Sequence, residues 1–217
     1  MNKKTKTNEL VLLGLLAAVL ILMSCTPLGF LNIGPLAITL NIIPVAIAAV
    51  AIGPKGGLTM GAIFGIMSFL QCIGIGGTSA MGAVLFEINP VLAFLQRFVP
   101  RALDGFLVAL IYIALRKKLN VYVSSAIAGF CSAFLNTLFF MSSLILMFGN
   151  TDYVKGLIDG RNVFVFVCAF VGINAVFEMI ASTIITCAVC TALHKAKLLP
   201  AEKKEKLSEK TAAASAA

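Results

Sequence analysis

Arg97, Arg101 and Asp104 fall at i, i+4 and i+7 within NPVLAFLQRFVPRALDG, so on a helix they share one face. Charged side chains inside an apolar run are costly at membrane depth and point either to a binding task or to an internal ion pair. A guanidinium can hold a carboxylate through two parallel hydrogen bonds, which suits Arg97 to substrate binding. With Asn89 as the outer end of this helix, Arg97 lies about 12 Å along it at ~1.5 Å per residue, in the outer half. Arg101 and Asp104 lie deeper and, with Glu178 in a later run, are read as structural or coupling residues in which a carboxylate neutralises Arg101. Pro100 denies a hydrogen bond to the Gln96 carbonyl, so a bend is expected between the arginines. Asn174 and Glu178 form a second i, i+4 pair, Asn136 lies in the middle of another apolar run, and Ser68 and Gln71 close a third. The amides of Gln71, Asn136 and Asn174 either tie helices together or meet the hydroxyls and amides of a ligand, and Asn89 joins them as a candidate.

Other chemistries fit poorly. The stretch AIGPKGG, residues 51–57, has the glycines and lysine of a phosphate loop, but Gly56 follows Lys55 where Ser or Thr is needed for magnesium. It reads as a cytoplasmic turn in which Pro54 ends one helix and the glycines permit a tight reversal. With no other such loop, concentrating a solute requires an ion gradient or a separate ATPase. The six cysteines sit in apolar surroundings and read as small hydrophobes. Cys187 and Cys190 are spaced as CxxC, yet no second pair accompanies them. His194 is the single histidine, at a membrane edge, which argues against a zinc site or a hydrolytic triad. No catalytic residue, metal or cofactor is expected.

The elements that carry these residues follow from composition. The 217-residue chain is 60% hydrophobic and 12% charged, with a mean hydropathy of +1.02, against about a quarter charged for a soluble domain. An all-α integral membrane bundle is expected, with six spans near residues 9–29, 39–53, 57–76, 89–115, 120–148 and 161–194. Barrel strands would alternate apolar and polar residues, which LVLLGLLAAVLILM does not. The Gly-rich segment 74–89 is too short for a span and could fold back as a lid over an outer cavity. With the N-terminus inside, 13 of the 17 basic residues fall on the cytoplasmic side, including Lys55, Arg116, Lys117, Lys118 and Lys195. Both termini are then cytoplasmic. The expected organisation is a basic N-terminus over 1–8, a six-helix substrate-binding domain over 9–196, and a basic tail over 197–217 with no apolar periodicity, expected to be disordered. The inside bias already accounts for the net charge of +8, so no nucleic-acid partner is inferred.

Two stretches, IGPLAITLNIIPVAIAAVAIGPKGGLTMGAIFGIMSFLQ (residues 33–71) and NPVLAFLQRFVPRALDG (residues 89–105), resemble the substrate-binding S component of energy-coupling factor (ECF) vitamin transporters. The resemblance covers about residues 8 to 196. It implies a vitamin-binding membrane subunit that captures its cargo at the outer face. Such a subunit docks on a membrane-embedded T component driven by two cytoplasmic ATPase subunits, and topples to release the vitamin inside. The family docks through small residues of its first helix; Gly14 and Ala18 stand at that spacing here, while Ala17 is followed four residues on by Ile21. The same small residues also suit packing within the chain. The region around the second and third helices is most similar to the pantothenate-type members, and an acidic vitamin bearing hydroxyls and an amide suits Arg97 with its amide neighbours. Folate, a pyridoxine-type vitamin and another small acid stay open, as does a stand-alone, gradient-driven transporter of a small organic acid with helices broken at Pro44 and Pro100.

Overall fold

The computed structural model describes residues 3–26, 29–32, 37–196 and 198. The tail, from residue 199 onward and at Lys197, lies outside the described residues. The chain is a helical bundle: α1 (Lys3–Ser24), α2 (Ile42–Ile52), α3 (Pro54–Leu70), α4 (Ala80–Ile88), α5 (Pro90–Arg116), α6 (Val121–Phe148), α7 (Asp152–Ile158) and α8 (Val163–Lys195). A 3-10 turn, Gln71–Ile73, prolongs α3. Five helices contain stretches long and apolar enough to cross a membrane, in α1, α3, α5, α6 and α8. The second expected span is shorter than drawn. α2 has 11 residues, about 17 Å at ~1.5 Å per residue, well under the ~30 Å of a bilayer core.

Several boundaries move for identifiable reasons. The first helix begins at Lys3 and stops at Ser24 rather than residue 29, because Pro27 disfavours helical geometry at Thr26. The turn between α2 and α3 is one residue, Gly53, whose φ of 92° few side chains tolerate. Pro54 therefore opens α3 at its first position, where a missing N–H costs nothing, instead of ending α2; Gly56 and Gly57 lie inside α3. Lys55 is exposed there. Pro44 and Pro100 break neither helix: Pro44 sits in the first turn of α2 and α5 runs through Pro100. The segment 74–89 is mainly α4, a short helix packed against the 3-10 turn and α5. A small antiparallel ribbon, β1 (Phe30–Asn32) and β2 (Ala37–Thr39), joins α1 to α2 where only helices and turns were expected. Too few residues pair for a periodicity of two to stand out in the sequence.

The core is built around α2. All of its residues except the last are buried, and Ile42, Ile43, Val45, Ile47 and Val50 meet Leu16 and Leu20 of α1, Met60 and Phe64 of α3, Val108 and Tyr112 of α5, and Ala128 of α6. α3 and α5 pack backbone to backbone. A Cβ on Gly57 or Gly61 would overlap the carbonyl oxygens of Gly105 and Arg101, and one on Gly65 would come within 2.8 Å of Phe98 Cα. Small residues at i, i+4 and i+8 thus bring the two helices together. α6 and α8 meet similarly at Gly129, whose carbonyl accepts a 2.8 Å hydrogen bond from Ser182 Oγ. Ala51, Val121 and Leu193 cluster at one end of the bundle, beside exposed Lys55, Lys117, Lys118 and Lys195. Met81, Leu85, Leu144, Phe148 and Val154 fill the opposite end, beneath α4 and α7.

Candidate binding site

The close contact of α3 and α5 sets the last turn of α3 beside the N-terminal half of α5. Arg97 is 6% exposed; its Nη1 donates to Ser68 Oγ at 3.4 Å and its Nη2 to Ser79 Oγ at 3.2 Å. Ser79 also caps α4, accepting from the Gly82 amide, so the guanidinium is tied to the start of α4. Gly82 lets that helix lie directly on the cation, since a Cβ there would stand 2.9 Å from Nη2. One turn deeper, Arg101 Nη1 donates to the Arg97 carbonyl at 2.9 Å.

Both guanidiniums lean on aromatic faces. Phe140 of α6 lies 5.2 Å from Arg97 Cζ and 5.1 Å from Arg101 Cζ, and Phe64 of α3 lies 4.9 Å from Arg101 Cζ. Such stacking stabilises desolvated cations but does not neutralise them. The expected carboxylate partners are engaged elsewhere. Asp104 accepts from Ser132 Oγ of α6 at 3.1 Å, and Glu178 of α8 accepts from the Thr39 amide, latching β2 to the bundle. Among the described residues no direct ion pair joins Arg101 to either carboxylate, although both lie close enough to act on its charge. The physical reason is geometric: each carboxylate has a hydroxyl or amide donor on a neighbouring element. Arg97 Nε, Arg101 Nε, Asp104 Oδ1 and Asn136 Oδ1 are buried without a hydrogen-bond partner.

The remaining candidates divide. Asn136 of α6 is 6% exposed and Asn174 of α8 is 8% exposed. Gln71 is buried in the 3-10 turn, and its Nε2 donates to the Ser24 carbonyl at 3.1 Å, holding the end of α3 to the end of α1. Asn41 Nδ2 donates to Ser24 Oγ at 3.1 Å, so Ser24 joins three elements. Asn89 caps α5, its Oδ1 accepting from the Val91 and Leu92 amides at 3.0 and 3.1 Å. Gly14 and Ala18 are exposed on α1, and a Cβ on Gly14 would meet nothing within 4 Å, whereas Ala17 is half-buried against the core. Sequence reasoning passed over Ser79, Phe64, Phe140 and Gln96. Ser79 carries a signal, a serine just ahead of an apolar segment, but nothing distinguishes Phe64 and Phe140 among 16 phenylalanines.

Among the described residues no three His, Cys, Asp or Glu side chains gather as for a metal. The site offers buried cations, hydroxyls and amides, the complement of a small polar anion. A sequence profile of the family described as ECF transporter, substrate-specific component, matches residues 8–190. The chain belongs to this family. The S component is therefore a transport protein, not an enzyme, and a multi-pass protein of the cell membrane. It is similar to the pantothenic acid transporter PanT of Lactococcus lactis subsp. cremoris (strain MG1363), with 25% identity over 210 residues that cover 90% of this chain and 98% of the relative. It is also similar to the pantothenate transporter PanT of Leuconostoc mesenteroides subsp. mesenteroides, with 25% identity over 194 residues, 85% of this chain and 91% of the relative.

Proposed function

We propose that this S component binds pantothenate at its outer face and delivers it inward when docked on a T component and two cytoplasmic ATPase subunits. The observation that carries the reading is the pair of buried guanidiniums, Arg97 and Arg101, with no carboxylate paired to either among the described residues. Two such charges held near each other out of water favour an anion strongly. Arg97 supplies the outer contact to a carboxylate, and Asn136, Asn174 and Gln71 surround the polar remainder of the molecule. The names of the two relatives support pantothenate over other acidic vitamins.

In this reading α2, though short, counts as the sixth membrane segment, and the basic end of the bundle faces the cytoplasm with both termini. The outward face of α1, with Gly14 and Ala18 at close-packing spacing, meets the T component. Native mass spectrometry of the detergent-purified protein from cells grown in rich medium, with competition by a panel of vitamins, tests the substrate. A retained species of pantothenate mass, displaced by pantothenate alone, is the expected result. Retention of a different vitamin, or binding of none, overturns it. Copurification with ATPase subunits, and loss of uptake when they are inactivated, separates this reading from a gradient-driven carrier.

A further inference from the structure

Gln96 precedes Arg97 in α5 and is fully buried, yet neither Oε1 nor Nε2 of its side chain has a hydrogen-bond partner. Its backbone carbonyl faces Pro100, four residues on, which has no N–H to donate. Buried polar groups are nearly always satisfied, so a whole carboxamide without a partner beside a binding arginine requires an account.

Its position supplies one. Gln96, Pro100 and Asp104 follow at i, i+4 and i+8 and form one stripe along α5. Asp104 meets Ser132 of α6, and Arg97, the residue after Gln96, meets Phe140 of α6, so α6 packs along this side of α5. Along α6, Asn136 lies one turn beyond Ser132, buried and with Oδ1 unpartnered, and Phe140, which carries both guanidiniums, lies one turn further. The seam between α5 and α6 thus presents an unpaired carboxamide from each helix within about two turns of the Arg97 cation. A carboxamide offers two donors and an acceptor, which match the N–H and C=O of a secondary amide or a pair of hydroxyls; neither set matches a carboxylate alone.

We propose that Gln96 is a specificity residue that hydrogen-bonds the neutral amide and hydroxyl part of the ligand while Arg97 holds its carboxylate; this rests on the reading of the site as a pantothenate site. Gln96 then selects an amide-bearing acid from among anions that Arg97 would hold equally well. A site built to bond such groups rejects analogues that lack them, because its own groups are left unpaired.

The test compares wild type with Gln96→Leu, which keeps most of the volume and removes both polar atoms, and with Gln96→Met as a second apolar replacement. Affinity for pantothenate is measured by titration calorimetry in detergent, and thermal unfolding is measured on the ligand-free protein. The expected result is affinity lowered about 10- to 100-fold with the unfolding temperature unchanged or raised, since an unsatisfied amide is replaced by an apolar group. Affinity within twofold of wild type in either folded variant overturns the assignment. Lowered unfolding temperature in both variants also overturns it, because that is the mark of a structural tie. A wild-type protein that does not bind pantothenate overturns the proposed function itself, and the amide assignment with it.

Discussion

Arg97 has no single strong partner. Its Nη contacts to Ser68 and Ser79 are long neutral hydrogen bonds at 3.4 and 3.2 Å, and Phe140 covers one face of the group. Hydroxyls at such distances hold a guanidinium in place without matching its charge. Replacing Arg97 with Ala should weaken binding of an anionic vitamin by about 2–5 kcal/mol, as for truncating one partner of a buried charge pair. Calorimetric titration checks this, and unchanged affinity in a folded variant would remove Arg97 from the site. Lysine at the same position should restore only part of the loss, because an ammonium lacks the planar two-donor edge. Arg97 was legible in the sequence because a charge in an apolar run is conspicuous. Gln96 was not, since a neutral amide one position away carries no comparable cost and only the structure shows both of its side-chain polar atoms unpaired. The hydrogen bonds of Asp104 and Glu178 were hidden for a related reason: Ser132 and the Thr39 amide are distant in sequence, so spacing along one helix cannot reveal them.

Helices α3 and α5 make the closest contact in the bundle, and the glycines at its centre leave no room for side chains. Gly61→Leu should therefore lower stability by about 1–3 kcal/mol or more, the usual range for overpacking, and should be seen as a lower unfolding temperature in detergent. Gly14→Leu provides the contrast. Gly14 faces open space, so the variant should keep its unfolding temperature and ligand affinity while losing assembly with the T component, measured by pull-down. Loss of affinity together with assembly would point to misfolding and sink the docking assignment. The long helices α5, α6 and α8 could be read from the sequence to within about two residues at each end, because apolar runs of that length have one interpretation. The ribbon β1–β2 and the short helices α4 and α7 could not. Few residues define each of them, and contacts with α5, α8 and the 3-10 turn hold α4 and β2 in place.

Across the whole molecule, charge is sorted by end. Lys55, Lys117, Lys118 and Lys195 are exposed at the end where α2 turns into α3 and α5 into α6, which in the proposed orientation faces the cytoplasm. A Lys55→Cys variant, made in a chain whose native cysteines are replaced, should react with a membrane-impermeant maleimide only after cells are permeabilised. Reaction in intact cells would invert the topology and with it the assignment of Arg97 to the outer half. The arrangement around α2 bears on how the chain is made. α2 is shorter than a bilayer core is thick, is covered on every side by α1, α3, α5, α6 and α8, and is joined to α3 through Gly53 alone. While the ribosome is still translating α3, most of that enclosure does not yet exist. The segment must wait at the lipid surface or beside the insertion machinery, tethered to α3, until the later helices arrive and close around it. Biogenesis of this protein is then expected to end with the seating of an early segment, which is checked by a nascent chain halted before α8: α2 should still be accessible to a cotranslational crosslinker, and protection of α2 at that stage would rule this order out.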